Sequence, residues 1–245
     1  MRPLLVLLSC LACLTPPAWA QLAPPSDELV KGVDSYNRGD LFAAFAYLRA
    51  AADRGEAEAM VNLGYMYARG QAIPRDPAYA LRLYERAAKL GDAEGMNAIG
   101  YRYNVARPPD LDKAIHWYCR AVLLGNPRAM NNVALLFYNG IGVERDRDEA
   151  RDLWRQSGAL GNLNAVVNLA GDTLADPASS LADRGAAIET IHSAALKNSA
   201  QAQAILRQRG DTEVFPPALD MQLKMTLEPR NPAPGSSRLC GNLLS

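Results

Sequence analysis

Between residues 57 and 162 the apolar positions fall into two alternating stripes, each with helical spacing. Met60, Leu63, Gly64 and Tyr67 stand three, four and seven residues apart, and the same stripe returns as Met96, Ile99, Gly100 and Tyr103, then as Met130, Val133, Ala134 and Phe137. This is the pattern of an amphipathic helix. Further along each unit a second stripe follows. It reads Ala80, Leu83, Tyr84, Ala87 and Ala88, then Ala114, Trp117, Tyr118, Ala121 and Val122, then Ala150, Leu153, Trp154, Ser157 and Gly158. Each unit is therefore predicted to be two antiparallel helices, and the Gly or Ala in the first stripe lets the second helix approach closely. The units cover residues 57–92, 93–126 and 127–162. Their boundaries are Gly55, Gly91, Gly125 and Gly161, spaced 36, 34 and 36 residues apart, where a residue in the left-handed region ends a helix. A fixed period of this length is the mark of a stacked repeat array.

The residues of these units resemble the Sel1-like repeat family, a relative of the tetratricopeptide repeat. The resemblance rests on Leu63-Gly64-Tyr65-Met66-Tyr67, Gly140-Ile141-Gly142-Val143, Asp146, Lys113-Ala114 with Trp117-Tyr118, and Ala87-Ala88-Lys89-Leu90-Gly91. It implies an all-α fold, an α-solenoid of antiparallel helix pairs wound as a Sel1-like or TPR-like superhelix. Residues 21–56, with Gly32, Tyr36, Gly39-Asp40, Ala44 and Ala50-Ala51, resemble an N-terminal TPR-like capping unit. Residues 163–210 keep Asn168-Leu169-Ala170 and Ala187-Ile188 but lose the aromatics, and are expected to form a degenerate repeat and a capping helix that covers the last apolar face. Residues 211–245, rich in proline, are expected to be an extended or disordered tail.

Residues 1–20 carry the features of a signal peptide: Arg2, an apolar run from Leu4 to Leu14, and Ala18-Trp19-Ala20 before the cut. The run is too short to span a bilayer, which takes about 20 residues. Acylation at Cys10 or Cys13 fits less well, so a lipoprotein is the lesser expectation. Cleavage after Ala20 removes one of 26 basic residues and none of 26 acidic ones, leaving a net charge of about −1. Such a balance excludes the concentrated basic surface that nucleic acid or an anionic membrane requires. Export, with the periplasm as destination, leaves Cys119 and Cys240 where a disulfide can persist. One bridge pinning the tail to the solenoid and two unpaired thiols both fit the sequence.

Chemistry of a catalytic kind is hard to assemble from these residues. The Gly-x-Gly of Asn139-Gly140-Ile141-Gly142 follows a helical stripe, lacks a third glycine, and is replaced in the previous unit by Val105-Ala106-Arg107-Pro108-Pro109-Asp110. It is an inter-helix turn, not a phosphate cradle. His116 and His192 share no metal-ligand spacing with the cysteines and fall at variable, solvent-facing positions. No lysine has a serine three residues before it, so the nucleophile motif of β-lactam-acting enzymes is missing. No catalytic residue, metal ligand or cofactor is assigned, and the chain is expected not to be an enzyme.

By analogy with the tetratricopeptide register, the first helices line the concave side of the superhelix. The partner-binding positions there would be Glu58, Val61, Tyr65 and Arg69, then Asn97, Tyr101 and Asn104, then Arg128, Asn131, Leu135 and Tyr138. Tyrosine offers contact area at low entropic cost and asparagine offers donor and acceptor together. The resemblance implies a protein that binds another protein of the cell envelope. Exported relatives include immunity proteins against secreted effectors such as lipases, among them those of type VI secretion, as well as regulators of membrane sensor kinases and envelope assembly scaffolds. The first role suits the small, unanchored chain best; a cell-wall or β-lactam hydrolase is the alternative of another class.

Overall fold

The computed structural model describes residues 24–197 and 199–209 together with Ser237, Cys240 and Gly241. Within them eleven helices and no strand are found. They are α1 (Asp27–Asn37), α2 (Leu41–Asp53), α3 (Ala57–Arg69), α4 (Pro77–Lys89), α5 (Ala93–Asn104), α6 (Leu111–Leu123), α7 (Pro127–Asn139), α8 (Arg147–Ala159), α9 (Leu163–Ala175), α10 (Leu181–Leu196) and α11 (Ala200–Arg209). Each odd-numbered helix packs on the next even-numbered one, and successive pairs stack, with α11 on α10 at the end. The predicted signal peptide lies outside the described residues, as does nearly all of the predicted tail.

Local sequence fixes where each helix begins and ends. Asp40, Asp76, Asp92, Asp110, Asn126, Asp146 and Asn162 accept hydrogen bonds at helix N-termini, and Ser180 does so in a capping box with Asp183. Gly55, Gly91, Gly125 and Gly161 follow the helix ends with φ between 78° and 93°, the left-handed turn that lets the next helix start antiparallel. In the stretch Asn139-Gly140-Ile141-Gly142-Val143-Glu144-Arg145-Asp146, Gly140 caps α7 in the left-handed region and Gly142 repeats it. The turn is closed from both ends, because Arg145 Nε donates to the Tyr138 carbonyl at 3.0 Å and Asp146 caps α8. Backbone geometry accounts for both glycines. The equivalent turn after α3 places Ala72 at φ 64° where the later unit has Gly142.

The core is the interface within and between pairs. Met60, Leu63 and Met66 of α3 meet Leu83, Tyr84 and Ala87 of α4, and the theme repeats through Tyr118 and Trp154, each at most 2% exposed. The small residue of the first stripe does what its position predicts. A Cβ on Gly64 would lie 2.5 Å from a Tyr84 ring carbon, and one on Gly100 2.6 Å from a Tyr118 ring carbon, so the aromatic face of the second helix rests directly on backbone. A second, smaller core of Val167, Ala170, Ala187, Ile191, Ala194, Ala195, Ala202 and Leu206 joins α9, α10 and α11. There Ile191 stands where the preceding units have Tyr84, Tyr118 and Trp154.

Candidate partner-binding face

The first helices of successive pairs touch directly, α3 with α5, α5 with α7 and α9 with α11, while the second helices show no comparable approach to one another. A stack whose first helices lie closer together curves toward them, so α3, α5, α7 and α9 form its inner face.

At the middle of that face a carboxylate gathers four donors from three helices and a loop. Glu94, at the start of α5, has a side chain only 8% exposed. It accepts from the Tyr65 hydroxyl of α3, from Arg128 Nη1 of α7 at 3.0 Å, from Asn126 Nδ2 at 2.9 Å and from Asn97 Nδ2 at 3.3 Å. Burial first, then the Glu94 charge, pushes the Tyr65 phenol well above its ordinary value. Arg128 is raised chiefly by the same carboxylate. Asn126 also caps α7, its Oδ1 accepting from Ala129 N at 2.8 Å, so Glu94 orients the residue that starts the next unit's first helix.

From this hub an amide ladder runs toward the C-terminal end. Asn132 Nδ2 donates to Asn97 Oδ1 at 3.0 Å, Asn168 Nδ2 to Asn131 Oδ1 at 2.8 Å, and Gln201 Nε2 to Asn168 Oδ1 at 2.6 Å. Alongside it, Arg147 and Arg151 of α8 converge on Asp172 of α9, whose side chain is 1% exposed, and Arg151 also reaches Asp176 at 3.0 Å. Buried amides and charges of this kind are costly unless paired, and here they are paired across units.

Several expected groove residues are consequently structural. Val61 is fully buried, part of the apolar core shared by the packed helices. Asn97 and Asn131 are 5% and 7% exposed and spend their amides on the ladder. Leu135 packs against the core, and Tyr138 leans on Trp154 at 5.3 Å between the guanidinium groups of Arg145 and Arg147. Glu58 and Asn104 are half-buried. Arg69 is exposed, Arg128 is partly so while held by Glu94, and Tyr101 is 54% exposed.

The contrast between the two aligned tyrosines has a simple cause. Tyr65 finds a carboxylate, Glu94, at the second position of the next first helix. For Tyr101 the residue at that register position is Arg128, which can only donate and already faces Glu94. The sequence offered a faint signal for Glu94, an acid aligned with an arginine one unit later. Recognising the hub required knowing that Tyr65, Asn126 and Arg128 converge on it.

On the second-helix side, Cys119 of α6 is joined to Cys240 by a disulfide, with Cα atoms 4.8 Å apart, and both residues are fully buried. Its alignment with Glu85 and Arg155 makes position 119 look variable, whereas the structure gives it a buried partner in Cys240. His116 is exposed, whereas His192 is half-buried rather than solvent-facing. Among the described residues no group of His, Cys, Asp or Glu is arranged to hold a metal ion, and no helix is long and apolar enough to cross a membrane.

Comparison with known proteins agrees with this architecture. Over 159 residues the chain is 26% identical to an exopolysaccharide production negative regulator of Rhizobium leguminosarum bv. viciae, covering 58% of this chain and 60% of that one. It is 27% identical over 176 residues to the DAP3-binding cell death enhancer 1 of Rattus norvegicus, covering 56% of this chain and 35% of that one. The chain spans about a third of the length of that mammalian relative and of its Mus musculus counterpart. The crystal structure of a Sel1 repeat protein from Oxalobacter formigenes superposes with a TM-score of 0.60 at 22% identity, over 81% of this chain and 84% of that one. A protective antigen of uropathogenic Escherichia coli with an SLR fold superposes with a TM-score of 0.50 at 25% identity, over 76% and 41%. Sel1 repeat proteins bind other proteins. The family model for the Sel1 repeat matches residues 31–56, 57–92, 93–126 and 127–162, taking in as a repeat most of what resembles a TPR-like cap, and on that match over more than half its length the chain belongs to the Sel1 repeat family.

Proposed function

We propose that this chain holds another protein against its first-helix face and, in the periplasm, acts as a soluble inhibitor of a secreted effector that attacks the envelope, such as a lipase. The observation that carries the binding face is Tyr101. It is a large, 54% exposed aromatic on a helix whose position is fixed by the Glu94 hub, so it presents contact area without further ordering. Arg69, exposed on α3, adds a charge for complementarity. The inhibitor role draws on the resemblance to exported Sel1-like immunity proteins and on the signal-peptide features of residues 1–20. In this role the chain has no catalysis of its own.

The test is co-purification from periplasm followed by affinity measurement with the captured protein. Replacing Tyr101 with Ala should weaken binding by roughly ten- to hundredfold, the effect of losing a central aromatic contact, with helicity and thermal stability unchanged. Unchanged affinity would move the interface off this face. Purified protein that hydrolyses a β-lactam or peptidoglycan while capturing nothing would overturn the binding role. The relative named as a negative regulator of exopolysaccharide production favours a second role of the same class, control of an envelope sensor or synthesis complex; a captured sensor kinase would select it. A captured envelope assembly would point to a scaffold.

A further inference from the structure

Arg102 of α5 holds a register position that three other first helices fill differently. Its counterparts are Met66 in α3 and Leu136 in α7, both buried, and Asp172 in α9. Asp172 shows what that position faces, because it takes Arg147 and Arg151 from the second helix of the preceding pair. Opposite Arg102, the residues aligned with those two arginines are Pro77 and Leu81 of α4, and neither side chain can accept from a guanidinium. Arg102 is half-buried, its Nε is buried with no hydrogen-bond partner, and it forms no ion pair among the described residues.

A second arginine shares this spot. Arg69, exposed at the end of α3, likewise carries no ion pair among the described residues. The guanidinium charges of Arg102 and Arg69 both act on the Tyr84 phenol of α4, against the burial and the Glu94 charge that raise it. The packing of α3, α4 and α5 thus brings two cations to one buried tyrosine. Glu94 does not neutralise them, since it is bonded to Arg128, Tyr65, Asn126 and Asn97. By contrast Arg128 has Glu94, and Arg147 and Arg151 share Asp172. An uncompensated positive pair, one member with a buried and unpaired nitrogen, costs stability. It also complements negative charge brought from outside.

We propose that Arg69 and Arg102 form the site for a carboxylate side chain, Asp or Glu, of the protein held on the first-helix face. This rests on that face being the binding one, and a defined probe tests it separately. The arginine Nε–H resonances of the full chain are followed while capped tetraglutamate, capped tetraglutamine or inorganic phosphate is added. Tetraglutamate should shift the Arg69 and Arg102 signals with a Kd at least about tenfold lower than at Arg86, an exposed arginine of α4, the gain from paired charge-assisted hydrogen bonds. Tetraglutamine should shift neither. Arg102→Met, which restores the residue of the first unit, should abolish the Arg69 shift and raise Tm by about 2–4 °C, because an unpaired half-buried cation gives way to an apolar side chain. Equal binding at Arg86, phosphate acting as strongly as tetraglutamate, or a Tm lowered by Arg102→Met would overturn the proposal. A probe that fails while Tyr101→Ala still weakens partner binding leaves the face and removes this site; a probe that binds while Tyr101→Ala changes nothing does the reverse.

Discussion

Replacing Glu94 with Ala removes one side chain and strands donors on three neighbouring segments. Hydrogen bonds to a charged group contribute about 1.5–3 kcal/mol each, but the four do not add, because the donors share one carboxylate. Arg128 is 45% exposed along its side chain and recovers hydration, so its share is small. Asn126 and the Tyr65 hydroxyl lose their acceptor inside the stack, and Asn126 is also the cap of α7. The expected loss is about 3–4 kcal/mol, within the range for breaking a buried charged pair. Glu94→Gln, keeping shape and one acceptor oxygen, should lose about half as much. Arg128→Ala leaves the buried carboxylate its three other donors, Tyr65, Asn126 and Asn97, and should cost less than Glu94→Ala, about 1–2 kcal/mol. Urea unfolding followed by far-UV circular dichroism measures all three. If Glu94→Ala stays within about 1 kcal/mol of the parent, the carboxylate does not organise this face. If Arg128→Ala costs as much as Glu94→Ala, the salt bridge and not the convergence on Glu94 is what matters.

Other consequences can be measured on the same protein. Gly100→Ala puts a Cβ 2.6 Å from the Tyr118 ring and should destabilise by about 1–3 kcal/mol despite the better helix propensity, whereas Gly171→Ala, with nothing within 4 Å, should stabilise by about 0.5–1 kcal/mol; paired thermal melts showing the same sign would refute the close-approach argument. Ala72→Gly should raise stability by about 0.5–1 kcal/mol, since alanine holds a left-handed φ of 64° there, and a lowered urea midpoint would count against it. Burial raises the phenols of Tyr65, Tyr84 and Tyr118 above their unfolded value of about 10. A raised folded value means the folded protein holds protons that the unfolded chain releases, so stability is fully present below about pH 10 and falls as pH rises beyond it. Phenolate absorbance rising together with loss of helicity above that pH is expected, and Tyr65→Phe should make the fall shallower; titration of these phenols in the intact helical protein would contradict the assignment.

Most of the architecture follows from local pattern. The i, i+3, i+4, i+7 stripes, the Asp and Asn caps and the unit-ending glycines each act over a few residues, so helix boundaries and pairing can be read along the chain. Gly64 and Gly100 are legible too, because a small residue in an otherwise large stripe has one physical use, close approach. The binding face was only partly legible. Val61, Asn97 and Asn131 occupy the expected inner register, yet register fixes only the direction of a side chain, not whether a neighbouring helix absorbs it.

The repeat, the fold and the turn character of Gly140 and Gly142 are set by periodicity and backbone chemistry, and all three can be read along the chain. Which polar residues are consumed in holding the stack depends instead on how the units pack. Glu94 joins residues 29 and 34 positions away, from Tyr65 to Arg128, and Cys119 meets Cys240 across 121 positions. Such pairings depend on the rise and rotation from one unit to the next. No residue encodes that geometry alone; it emerges from the packing of all the helix pairs together.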